Sequence, residues 1–119
     1  MATIFERYGG FATIRKIVSD FYDRVLDTPE LESYFMGVDM ARLVDHQTKF
    51  ISTITGGPAN VSNEELRRAH HRLKISADHF GEVAELLEET LEDHGMQPED
   101  IAYVMSEVGA REAFVVSGG

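Results

Sequence analysis

Residues 66–75 read LRRAHHRLKI, and the His70–His71 pair inside that run decides the fold. The spacing is helical: Leu66, His70 and Leu73 fall on one side with Ala69 beside them, while Arg67, Arg68, His71 and Lys74 fall on the other. Neighbouring residues on a helix point about 100° apart, so the two rings have different surroundings. His70 joins the only apolar stripe available, and His71 faces water. An imidazole turned inward must find a partner there.

The rest of the chain reads as helices too. Residues 11–26, FATIRKIVSDFYDRVL, carry Ile14, Ile17, Val18, Phe21, Tyr22 and Val25 on one face. Asp27-Thr-Pro-Glu30 has the form of a helix start, with Asp27 as cap and Pro29 in the first turn, opening the short segment PELESYF. Asp39 predicts a cap for a helix over 40–54 that turns Leu43, His46, Gln47, Phe50, Ile51 and Ile54 inward, until Gly56-Gly57-Pro58 ends it. Ser62-Asn-Glu-Glu65 is a capping-box pattern ahead of His70. Ser76 starts a helix with Phe80, Val83, Ala84, Leu87 and Leu91 as its stripe, stopped by Gly95. Pro98 begins the last, with Ile101, Val104, Met105 and Val108 inward. No segment sustains two-residue alternation, so the chain reads as all-α, a single domain over residues 1–119.

Composition narrows the function. The 119 residues can bury about two-thirds of their unfolded surface. A formal charge of −10 disfavours nucleic acid and anionic membranes as partners. The absence of cysteine removes disulfides, thiol catalysis, thiolate metal sites and iron–sulfur clusters. No apolar run approaches the roughly 20 residues of a membrane span, and the start, MATIFERYGG, has no signal pattern. A soluble cytoplasmic protein is the expectation. Yet residues 42–74 hold six basic and three acidic residues, a local balance of +3 inside an acidic chain.

Five histidines carry the remaining chemistry. His94 sits in EDHG at a helix end, where a positive ring suits the helix dipole. His79 opens its helix and is open to either a structural or a functional role. His46 and His70 both lie on inward faces. A lone inward histidine is ordinarily a core residue bonded to backbone; two on successive helices, beside inward Tyr22 and Gln47 and the rings of Phe21, Phe35 and Phe50, ask for a shared partner. Zinc is poorly served, since no inward carboxylate or thiolate completes a ligand set. A serine–histidine–aspartate triad lacks both its serine turn and its buried acid. An iron porphyrin fits each feature: apolar walls, an axial imidazole nitrogen, cations for its carboxylates from the basic island, and Tyr22 and Gln47 as donors to a polar diatomic ligand.

With those residues in place the chain resembles the group I truncated haemoglobins over nearly its whole length. Gly9-Gly10, Phe21-Tyr22, Phe35, the His46-Gln47 pair with Phe50, Gly56-Gly57, Ala69-His70-His71-Arg72-Leu73 and His79-Phe80 match the family's motifs in order and separation. The resemblance implies a two-over-two helical sandwich enclosing haem. It assigns His70 as proximal ligand, its Nδ1–H expected to bond a carbonyl one turn back. Tyr22 and Gln47 take ligand-stabilising positions beside Leu43, where some relatives have a polar residue, and Phe50 lines or gates the ligand tunnel. The haem surroundings then comprise Phe35, Phe50, Leu73, Ile75, Phe80, Val83 and Leu87 as walls, Arg42, Lys49 and Arg67 at the rim, and His46, His70 and His79. His46 matches a position that supplies a sixth iron ligand in some relatives. Those relatives also attach haem through a histidine in the last helix; here Ala113 stands near that place, so non-covalent haem b is expected.

The implied function is reversible binding of dioxygen, NO or CO for storage or scavenging, by a monomer or weak dimer. The alternatives are a nitric oxide dioxygenase supplied by an external reductase, a bis-histidyl electron-transfer or gas-sensing protein, and a helical interaction module without cofactor.

Overall fold

The computed structural model describes residues 2–58 and 76–110, which form helices with no strand among them. The order is α1 (Ile4–Arg7), α2 (Phe11–Leu26), α3 (Pro29–Glu32), a 3-10 turn (Ser33–Phe35), α4 (Met40–Ile54), α5 (Ala77–Asp93) and α6 (Pro98–Ala110). The capping-box segment and the His70 helix lie outside the described residues. α2 packs on both α4 and α5, α5 packs on α6, and α6 reaches α4, so the long helices share one core. No described helix is long and apolar enough to cross a membrane.

The stripe predicted for α2 is buried, and so is that of α4 except His46, which is half-buried. α2 buries Ile14, Ile17, Val18, Phe21, Tyr22 and Val25. Asp39 caps α4 by accepting from the Arg42 N–H at 3.3 Å, and Ser76 caps α5 by accepting from the His79 N–H at 3.2 Å. α4 also buries Thr48 and Ser52, whose hydroxyls donate to carbonyls four residues back at 2.7 Å each. A polar side chain that satisfies itself on its own helix is cheap to bury, which is why periodicity of apolar residues did not flag these two. Val83, Met105 and Val108 are half-buried at the margin of the core rather than inside it.

One expected cap moves. Asp27 is the C-cap that follows α2, right-handed at φ −81° and ψ −5°, and therefore cannot also be the extended residue that opens α3. Thr28 takes that place at φ −98° and ψ 108°, and its hydroxyl donates back to the Arg24 carbonyl at 3.0 Å. The turn after α4 depends on glycine twice. Gly56 sits at φ +92°, and a Cβ on Gly57 would come 2.6 Å from the ring of Phe5. That approach lets α1 close over the end of α4.

Two polar clusters tie helices together. Arg7 donates to both carboxylate oxygens of buried Asp100 at 3.0 and 2.9 Å, and the Tyr8 hydroxyl donates to Asp100 at 2.6 Å while accepting the Gln97 N–H at 2.9 Å. His94 does end α5, as expected, and its Nε2 also meets the Asp20 carboxylate of α2 at 3.0 Å. Arg24 joins that group, 3.1 Å from Asp20 and 2.8 Å from Asp93. The hydrogen bond from Arg7, then that from Tyr8, holds the Asp100 carboxyl below its usual range; His94, then Arg24, does the same for Asp20. A depressed carboxyl contributes stability above its unfolded pKa of about 3.9 and loses it as pH falls through the folded value. Asp100→Asn is therefore expected to lower unfolding free energy near neutrality by about 2 kcal/mol in urea titrations. The gap from the unsubstituted protein should shrink below about pH 4. A gap that widens in acid would contradict this.

Candidate functional site

The site is assembled from three places. α2 supplies Phe21 and Tyr22, the 3-10 turn supplies Phe35, and α4 supplies Leu43, His46, Gln47 and Phe50. Tyr22 sits edge-on to two rings, 4.8 Å from Phe21 and 5.9 Å from Phe35 between centroids. Phe35, Leu43 and Phe50 are buried in the same core, as are Phe80 and Leu87 of α5, with Val83 packed against it. Two aromatic edges thus meet Tyr22 within the one apolar core.

Those two side chains share a hydrogen bond. Tyr22 is 6% exposed and Gln47 9%, and the Tyr22 hydroxyl is paired with the Gln47 amide. Burial pushes the Tyr22 phenol far above its ordinary pKa, with the Gln47 bond pulling weakly the other way. The group is thus a neutral O–H at any physiological pH. His46, one residue before Gln47, is half-buried, yet its Nε2 is fully enclosed. A neutral hydroxyl and an amide are therefore paired inside the apolar core, next in sequence to the enclosed His46 nitrogen.

His79 has partners of its own. The Ser76 cap sets its backbone, its Nδ1 bonds the Tyr34 hydroxyl, and the two rings meet edge-on at 5.2 Å. This links the segment after α3 to the first turn of α5. Arg42 and Lys49 are exposed on α4. Arg67, His70, Leu73 and Ile75 fall outside the described residues.

Sequence reasoning missed a feature beside this site. A groove of about 240 Å³ runs between α2 and α4, with Tyr22 in its wall and Arg15, Ser19, Met40 and Val44 along it. Arg15 pairs with Asp45 between these two helices. The two residues are separated by a loop and two helices, and nothing local in either signals the other.

Comparison with known proteins agrees with this geometry. A family model described as bacterial-like globin matches residues 3–115. The chain is 34% identical over 114 residues to the group 1 truncated haemoglobin GlbN of Synechocystis sp., covering 92% of each chain. It is 29% identical to that of Mycolicibacterium paratuberculosis, covering 98% of this chain and 86% of that one. Among solved structures it is similar to the 2/2 haemoglobin of a Synechococcus species in the cyanomet state with covalently attached haem, at TM-score 0.87 and 29% identity over 97% and 98% of the two chains. It is likewise similar to the Fe(III) truncated haemoglobin of Tetrahymena pyriformis, at TM-score 0.85 and 25% identity over 98% and 100%.

Proposed function

Because the chain belongs to the bacterial-like globins and, among them, to the group 1 truncated haemoglobins, we propose that Tyr22 and Gln47 form the ligand-stabilising side of a haem pocket that reversibly binds dioxygen, NO or CO. The observation that carries this reading is the buried Tyr22–Gln47 pair, with Phe21 and Phe35 edge-on to Tyr22 in the core that also holds Leu43 and Phe50. The donor set fits haem: its apolar macrocycle matches the walls, and neutral donors suit a polar diatomic ligand better than charged ones would.

Haem supplies the iron at which the gas is held. The chain supplies the rest. Tyr22 would donate a hydrogen bond from its hydroxyl to the ligand, and burial keeps that hydroxyl protonated. Gln47 fixes the direction of the hydroxyl, since an amide bonded to it restricts its rotation. Phe35, Leu43 and Phe50 exclude water, which would otherwise compete for both donors. His70, which the sequence spacing turns inward, would hold the iron, and Phe80, Val83 and Leu87 of α5 would line the haem. Arg42, Lys49 and Arg67 would hold its carboxylates, and the haem would be bound without a covalent link. We place the protein in the cytoplasm and assign re-reduction of oxidised haem to an external donor protein.

Ferrous protein exposed to dioxygen should give an oxygenated spectrum that argon reverses. Absence of any spectral change, or immediate and complete oxidation, would contradict the reading. His46 is the candidate sixth ligand, because it matches the position that supplies one in some relatives. The ferrous, gas-free protein should then be six-coordinate and low-spin, and His46→Ala should make it five-coordinate and high-spin. A five-coordinate spectrum without the substitution would remove His46 from the iron.

A further inference from the structure

The four tyrosines of the chain differ in what their hydroxyls meet. Tyr8 donates to the Asp100 carboxylate at 2.6 Å, and Tyr103 to that of Glu107 at 3.3 Å. Tyr22 is paired with the Gln47 amide. Tyr34, in the 3-10 turn, meets Nδ1 of His79 at the start of α5, with the two rings edge-on. As proton acceptors these partners are unequal. An amide takes no proton near neutrality, whereas a carboxylate is ordinarily protonated at about pH 4 and an imidazole at about pH 6.5. The bonds from Arg7, then Tyr8, lower Asp100 further still. Of the four partners, the imidazole is the strongest base.

That difference decides which tyrosine can give up an electron. Oxidation turns a phenol into a strong acid, so the electron leaves readily only where the hydroxyl proton can leave with it. Tyr22 is enclosed with an amide, and burial holds its proton in place. Tyr34 faces a ring nitrogen that, with the ring hydrogen on Nε2, offers a lone pair to the proton. Both members of this pair are also sequence neighbours of residues that would line haem. Tyr34 precedes Phe35, which meets Tyr22 edge-on at 5.9 Å, and His79 precedes Phe80, buried in the same core. Tyr34 and His79 are themselves half-buried, so the pair stands at the edge of that core, within reach of solvent.

We propose that Tyr34 is a redox-active tyrosine that gives one electron to haem oxidised by hydrogen peroxide, with Nδ1 of His79 taking its proton; the inference rests on the haem reading above. Peroxide takes two electrons, and two protons from solvent, to become two waters. Ferric haem gives one of the electrons and Tyr34 the other. The Tyr34 O–H bond breaks and an N–H bond forms on His79, leaving a neutral tyrosyl radical beside an imidazolium. The oxidising equivalent thereby moves from the interior that holds the Tyr22–Gln47 pair to the half-buried edge, and the donors of the gas site are spared.

A Soret titration with haemin comes first. Protein that takes up no haemin defeats the haem reading and this proposal with it, whereas every result on loaded protein bears on Tyr34 alone. Ferric protein mixed with hydrogen peroxide and freeze-quenched should show a tyrosyl radical by electron paramagnetic resonance. A nitroso spin trap, followed by peptide mass spectrometry, should place the radical on Tyr34 in the unsubstituted protein. Tyr34→Phe keeps the ring and should lose most of the signal, whereas Tyr103→Phe should retain it. His79→Gln keeps a hydrogen-bonding side chain without a base. It should slow the appearance of the signal about a hundredfold, the lower end of what a positioned proton acceptor contributes. Heavy water should slow it in the unsubstituted protein, because the proton moves with the electron. A trap adduct on Tyr8, Tyr22 or Tyr103 in place of Tyr34, or no tyrosyl signal at all, would overturn the proposal. Equal rates in His79→Gln and the unsubstituted protein would overturn it as well.

Discussion

His70→Ala is expected to abolish stable haem binding, whereas His71→Ala leaves it nearly intact. The two positions differ by one residue and by about 100° of helix rotation, so the contrast tests orientation rather than general damage. Loss of an outer partner of a metal ligand already costs 10- to 100-fold in affinity. Removing the ligand itself should therefore cost more than about a hundredfold. Haemin titration followed at the Soret band measures both variants, and added imidazole should partly restore the His70→Ala spectrum. Equal losses would mean that the phase of the 66–75 helix is misread.

Tyr22→Phe is expected to speed dioxygen dissociation roughly ten- to a hundredfold. The substitution removes one hydroxyl and keeps the ring, so the edge-on packing against Phe21 and Phe35 survives. A hydrogen bond involving a charged or strongly polar acceptor is worth about 1.5–3 kcal/mol, and each 1.4 kcal/mol is tenfold in a rate or equilibrium constant. Displacement of dioxygen by CO in stopped flow reads the rate directly. Because burial raises the phenol far above its ordinary pKa, the unsubstituted protein should show no tyrosinate titration of that rate up to about pH 9. An unchanged rate in Tyr22→Phe would show that another group holds the ligand.

The helices and the polar pair were legible for one reason: their signals are local and periodic. The apolar stripe of residues 11–26, the Asp39 and Ser76 caps and the glycine stop after α4 each lie within a turn or two of what they predict. Tyr22 and Gln47 stood out because a polar side chain on an apolar stripe is costly without a partner. Cross-helix polar contacts were not legible. Asp100 looks like an ordinary first-turn acid, and its burial depends on Arg7 and Tyr8, more than 90 residues earlier. His94 reads as a dipole-matched helix end, and nothing nearby in sequence reveals that Asp20 meets it from α2. Asp27 misled because two helices nearly abut, and the residue that ends one resembles the residue that starts the next.

The haem claim itself is open to one direct measurement. Purified protein titrated with haemin should saturate at one equivalent, with a sharp Soret band that shifts on reduction and shifts again on adding CO. A folded, helical polypeptide that stays colourless and leaves the spectrum of added haemin unchanged would contradict the account.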